Sequence, residues 1–149
     1  MEALLFIGIP GAGKSTFFRQ NFFDTHLRIN RDMLRTKPRE TALIEVCFKS
    51  KISFVLDNTS PTRVVREPII ACATAAGFRV DAYYFEPDYA ASCERNALRS
   101  GRAQVPVVAI GSILKTLEAP SFEEGFSRIF SVLNHTGGGF EIREWTREI

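Results

Sequence analysis

The sequence has no apolar run approaching the roughly 20 residues that a helix needs to span a bilayer, so nothing in it points to a membrane. Residues 1–9 lack the basic start and the cleavage site of a secretory signal and read as a core strand instead. Cysteine is scarce. Cys47, Cys72 and Cys93 are odd in number, widely spaced, and form no C-x-x-C or Cys/His cluster that would hold zinc. That usage fits a reducing, cytoplasmic setting, with two of the thiols in apolar helical contexts where a free buried thiol is expected. Repeats, low-complexity tracts and linkers are missing too, so residues 1–149 read as one domain of ordinary size. Strong charge is also absent. The net charge is +2, with residues 1–117 basic and residues 118–149 acidic. Arginine outnumbers lysine, and its planar fork suits phosphate oxygens. The balance is too mild to establish nucleic-acid binding but permits a local basic groove.

What is present alternates strand with helix. The continuous apolar run at 3–9 reads as a buried parallel strand, and 26–30, 52–56 and 78–85 read as three further strands. Residues 14–23, 31–51 (broken at Pro38), 61–76, 89–100 and 106–117 read as helices. Gly77 stops the third of these. Residues 127–134 and 140–145 flank a Gly-rich turn and read as a terminal strand pair. The pattern predicts an α/β fold: a parallel sheet with helices on both faces, a helical lid and a C-terminal strand pair. Phe17, Phe18, Phe22, Trp145 and most other aromatics are assigned to the core or the hairpin.

Between the first strand and first helix lies Gly8-Ile9-Pro10-Gly11-Ala12-Gly13-Lys14-Ser15-Thr16, a G-x-x-x-x-G-K-S phosphate-binding loop. Its backbone N–H groups converge on phosphate oxygens, Lys14 reaches the outer phosphates, and the Ser15 hydroxyl ligates Mg²⁺. The helix that starts there adds its positive dipole end. Ligands of such sheets bind beyond the carboxyl ends of the strands, which directs attention to the other strand ends. Asp32 follows the second strand, and is either a base that accepts a proton from an attacking hydroxyl or a dipole-favoured helix N-terminal residue. Asp57 follows the third. It is either a support for the metal or its waters, or an Asx-turn or helix cap, with Asn58 and Thr59 shaping the turn. Arg95 and Arg99, at i,i+4, together with Arg102 beside Gly101, suit a lid over a triphosphate. The alternative is a solvated helix face. Arg28, Arg31, Arg35, Lys37 and Arg39 crowd around Asp32, and Arg63 and Arg66 could extend the same groove.

Together these segments resemble the kinase domain of P-loop polynucleotide 5′-hydroxyl kinases. The resemblance rests on the loop at 8–16, Ile-Asn-Arg-Asp at 29–32, Asp-Asn-Thr-Ser-Pro at 57–61, and Arg-Asn-x-x-Arg-x-Gly with Val-Pro at 95–106. The block Glu-Ala-Pro-Ser-Phe-Glu-Glu-Gly-Phe at 118–126 is most similar to the kinase half of bifunctional kinase/3′-phosphatases. The resemblance implies transfer of the ATP γ-phosphate, with Mg²⁺, to a 5′-hydroxyl end of DNA or RNA in end repair. It implies Asp32 as general base, Arg35 on the acceptor's phosphate, and Arg99 with Arg95 as lid arginines on the donor. Residues Gly11, Ala12, Gly13, Lys14, Ser15 and Thr16 would hold the nucleotide, and Ser15 and Asp57 the metal. The segment between Asp32 and Asp57 is shorter than that family leads one to expect. Two other readings fit the same loop: a small-molecule kinase acting on a sugar, nucleoside or metabolite, and a nucleotide-binding partner subunit.

Overall fold

The computed structural model of the chain describes residues 1–135 and 137–147. Thr136 of the expected hairpin turn and the side chain of Arg102 lie outside the described residues. Six strands form one mixed sheet, mostly parallel. They are β1 (Glu2–Ile7), β2 (Leu27–Ile29), β3 (Phe54–Leu56), β4 (Arg79–Phe85), β5 (Arg128–His135) and β6 (Gly139–Glu144). Their order is β2-β3-β1-β4-β5-β6; β1 to β5 are parallel and β6 returns antiparallel on β5. This is the expected architecture, with the strand pair at one edge.

The helices are α1 (Lys14–Asn21), α2 (Arg31–Leu34), α3 (Lys37–Ser50), α4 (Arg63–Ala75), α5 (Tyr89–Ala97) and α6 (Val107–Thr116). The alternation of side chains along β1 sets which face each covers. Ala3, Leu5 and Ile7 join Ile44 and Cys47 of α3 and Ile70 and Ala73 of α4 in one core. Leu4 and Phe6 join Phe17 and Phe18 of α1 and Ile110 of α6 in the other. Phe22 packs against this second core, and the Phe17 ring lies edge-on to those of Phe85 and Phe140. Trp145 belongs to the first core and donates its indole N–H to Ser131 Oγ at 2.7 Å. Among the cysteines only Cys47 is fully buried; Cys93 is half-buried and Cys72 exposed, and all three are free thiols.

The starts of α1 to α5 have local causes. Gly13 caps α1 in a left-handed conformation. Asn30, Thr36, Thr62 and Asp88 cap α2, α3, α4 and α5 with side-chain oxygens. The break expected near Pro38 is present: the chain turns at Arg35 and restarts on Thr36, with Pro38 in the first turn of α3. The helix expected to reach residue 100 ends at Ala97. Asn96, buried, accepts from Val105 N at 2.9 Å and donates to Val105 O at 2.7 Å, and so folds the chain back.

Arg66 corrects one expectation. Instead of extending a phosphate groove, it is fully buried in α4. Its fork donates to both Glu124 oxygens at 2.8 and 3.1 Å, and Nη1 donates to the carbonyls of Ser60 and Glu118 at 3.0 Å. Arg63 turns the same way, donating to Ser121 Oγ at 2.9 Å. The acidic 118–124 segment is therefore a partner of α4, not a separate acidic surface. Breaking a buried ion pair from one side strands the other charge, at about 3–5 kcal/mol. Arg66→Ala is expected to lose about that much stability in denaturant unfolding; a loss below about 1 kcal/mol, the range of surface pairs, would return Arg66 to the surface class.

Candidate active site

The phosphate loop is pinned at both ends. Gly8 N donates to Thr59 O at 3.1 Å, which ties the loop to the turn after β3. At Gly11, φ is +81° and a Cβ would sit 2.4 Å from the Ser92 carbonyl of α5. At Gly13, φ is +97° and a Cβ would meet Asn134 Nδ2 at 2.5 Å. Neither conformation suits an L side chain, and at Gly11 the neighbouring backbone also leaves no space for one. Lys14 is buried and donates from Nζ to Gly8 O at 3.1 Å and Ile9 O at 2.7 Å. Burial pulls its pKa down from 10.5 to about 8; Asp57 opposes that shift, Arg99 adds to it and Asp32 opposes it.

Asp57 does not cap the next helix, which Thr62 does. Its carboxylate is buried and accepts from Ser15 Oγ at 3.1 Å and Arg28 Nε at 2.8 Å. Arg28 Nη2 also donates to Ser15 Oγ at 2.9 Å. Arg28 was grouped with the basic residues around Asp32, but the structure turns it onto Ser15 and Asp57 instead. A hydroxyl and a carboxylate this close are hard oxygen donors of the kind Mg²⁺ takes, with waters filling its remaining positions. The pair fits the ion.

Asp32 lies in the first turn of the four-residue α2. Side-chain hydrogen bonds from Asn30, Asn58 and Arg31 fix that turn. Asn30 accepts from Met33 N at 2.9 Å and donates to Asp57 O at 2.6 Å, joining the ends of β2 and β3. Asn58 Oδ1 accepts from Arg31 N at 2.9 Å. Arg31 donates a fork to Glu40 at 2.7 and 2.9 Å, and Asn58 Nδ2 donates to the same carboxylate at 3.0 Å. Burial pushes the Glu40 carboxyl up, but the bonds from Arg31 and Asn58 outweigh it and hold the pKa below the usual value. Arg31 is thus held by a protein carboxylate rather than left free in a groove.

A cavity of about 340 Å³ brings Gly11, Lys14, Ser15, Asp32, Asp57 and Arg99 together with Asn30, Arg31 and Asn58. A neighbouring cavity of about 230 Å³ is lined by Ala12, Arg95, Ser92 and Asn134. Arg95 and Arg99 therefore do not share one helix face. Arg95 donates to Gly11 O at 2.8 Å from within α5, whereas Arg99 lies beyond the helix end and reaches the first cavity. Arg35 is exposed at the end of α2, with φ +77°, and is not among the residues lining either cavity. Thr16, the third residue of α1, is exposed. Arg28, Asn30 and Glu40 are the contributors that sequence reading missed or misassigned, with the cap position of Asn30 the available signal, whereas Asn58 shapes the turn as expected.

The AAA domain family matches residues 4–120. The chain belongs to the AAA domain family. Its sequence is 29% identical over 136 residues to the bifunctional polynucleotide phosphatase/kinase of Schizosaccharomyces pombe. That match covers 88% of this chain and 33% of the relative, so this AAA domain spans about a third of the relative's length. Among solved structures, Chaetomium thermophilum Kti12 in complex with ADP-AlF3 superposes with a TM-score of 0.71 at 16% identity, covering 88% of each chain. An unliganded sugar kinase from Janibacter superposes at 0.64 and 17% identity, covering 88% of this chain and 85% of that one. The PezAT toxin-antitoxin system of Streptococcus pneumoniae gives 0.64 at 17% identity, with 89% and 68% covered. At these identities the structural likeness establishes the fold alone.

The buried Lys14 has a measurable signature. Between about pH 8 and 10.5 the unfolded chain keeps this proton and the folded chain gives it up, so the lysine's contribution to stability rises with pH across that window. Below about pH 8 the full cost of burying the charge is present. Lysine-selective NMR titration should find a midpoint near 8 without nucleotide, moving upward when anionic phosphates bind; a midpoint at 10.5 contradicts the burial. Lys14→Met is expected to stabilise the nucleotide-free protein by about 1–3 kcal/mol while weakening ATP binding roughly tenfold or more. Unfolding curves and calorimetric titration read the two effects separately.

Proposed function

We propose that the chain is an ATP- and Mg²⁺-dependent kinase that transfers the γ-phosphate to a 5′-hydroxyl end of DNA or RNA, in nucleic-acid end repair. One observation carries the reading. Asp32 lines the same cavity as Lys14, Ser15, Asp57 and Arg99. A donor held by the phosphate loop and an acceptor hydroxyl at Asp32 would then meet in one space. The exposed Arg35, Lys37 and Arg39 follow Asp32 in the chain and supply positive charge for acceptor phosphates. The kinase activity named for the fission-yeast relative agrees with this assignment.

In this reading Asp32 accepts the proton of the 5′-hydroxyl as its oxygen attacks the γ-phosphorus in line. The bond from that phosphorus to the bridging oxygen breaks, and ADP leaves. Lys14 and Arg99 stabilise charge on the phosphoryl oxygens, and burial strengthens their effect. Magnesium, when bound, neutralises charge on the β- and γ-phosphates and is held by Ser15 with support from Asp57. Arg95 and residues 11–16 orient the rest of the nucleotide. The three free cysteines fit work in a reducing compartment such as the cytoplasm.

The test is transfer of label from γ-labelled ATP to 5′-hydroxyl DNA, 5′-hydroxyl RNA, nucleosides and sugars side by side. The expected acceptors are the oligonucleotides. Asp32→Asn should lower their kcat by about 10²–10⁴-fold while leaving the nucleotide Kd within about twofold. Label passing only to small molecules, or a fully active Asp32→Asn, contradicts the proposal.

A further inference from the structure

Arg28 makes contacts that none of the roles above uses. It projects from β2 toward the start of α1, and its guanidinium closes a triangle with Ser15 Oγ and Asp57 Oδ2, with edges of 2.8, 2.9 and 3.1 Å. Those two oxygens are the pair assigned above to the metal. The Asp57 side chain is 1% exposed, and a carboxylate so buried needs a cation beside it. Arg28 is the cation that contacts it.

A divalent ion at these oxygens and the guanidinium that already holds them repel each other. Mg²⁺ would take a Ser15 lone pair at about 2.0–2.1 Å, with near-octahedral demands on its surroundings. That places a dication within the reach of a fixed positive fork. Arg28 also has somewhere to go. Its side chain is 28% exposed, and its remaining nitrogen already reaches toward the sulfur of exposed Met33, in the turn that carries Asp32.

We infer that Arg28 is a built-in stand-in for the metal cation. It holds Ser15 and Asp57 in register without metal, keeps a lone divalent ion out, and yields its place only when metal arrives with nucleotide. Nucleotide phosphates supply the negative charge that tips the exchange, so metal binding becomes conditional on nucleotide. The inference rests on the assignment of Ser15 and Asp57 to the metal.

The experiment uses the full chain, with Mg²⁺ and Mn²⁺ as probes and ADP as nucleotide. Wild type should bind Mn²⁺ alone weakly and show no rise in Tm with Mg²⁺ alone; with ADP it should bind Mn²⁺ tightly. Arg28→Gln should have a lower Tm in EDTA, recover it with Mg²⁺ alone, and bind nucleotide-free Mn²⁺ about tenfold tighter or more, a change of one electrostatic contact. In wild type, the Arg28 Nε–H NMR signal should be protected in EDTA and lose protection when Mg²⁺ and ADP saturate the protein. That reading requires no variant to fold. If Arg28→Gln loses stability equally with and without Mg²⁺ and its Mn²⁺ affinity is unchanged, or if the Nε–H stays protected under saturation, Arg28 is only a structural partner and the inference fails. If wild type binds no Mn²⁺ even with ADP, the metal assignment itself fails, and the inference with it. Phosphoryl transfer is read in none of these arms, so they stand apart from the test of Asp32.

Discussion

A cation held out of water organises this molecule. The Lys14 ammonium sits against the carbonyls of Gly8 and Ile9, where burial lowers its pKa to about 8. That cost is borne in a loop that is constrained on all sides: Gly11 and Gly13 adopt positive φ, Gly11 lies against the Ser92 backbone, and the Gly8 amide is tied to Thr59. A loop so constrained has its geometry set before a ligand arrives, and the desolvated charge gives an anion a reason to bind. Stability is traded for readiness, as is common where polar groups are held for function.

The other charges divide into those already matched and those left facing the cavity. Arg66 is matched to Glu124, Arg31 to Glu40 and Arg28 to Asp57. These pairs hold the turns after β2 and β3 in place, and so position Asp32 and Asp57 beside the loop. Arg99 and Asp32 line the cavity itself. The matched pairs make the scaffold rigid, and the cavity-facing charges are the ones available to a substrate. Arg28 crosses that division, because the group it is matched to is the one a metal would claim.

Much of this was legible in the chain. The first buried strand announces itself as an unbroken apolar run, and the rule that ligands gather at strand carboxyl ends points to Asp32 and Asp57. The phosphate loop needed only its spacing. What stayed hidden was pairing over distance. Arg66 and Glu124 are 58 residues apart, and Arg28 and Asp57 are 29 apart. Local reading therefore counted both arginines as basic surface. The end of α5 was hidden for a related reason: Asn96 clasps Val105, a contact that no helical periodicity contains, and it separates Arg95 from Arg99. Local chemistry showed where charges lie along the chain, but only the fold showed which are already satisfied.

The central claim is that donor and acceptor meet in one cavity and exchange the phosphoryl group in a single displacement. It is tested most directly by the stereochemistry of transfer from ATP made chiral at the γ-phosphorus with oxygen isotopes to a 5′-hydroxyl oligonucleotide. In-line attack by an acceptor positioned at Asp32 predicts inversion at phosphorus. Retention of configuration would mean an intermediate carried by the protein, and would contradict the account.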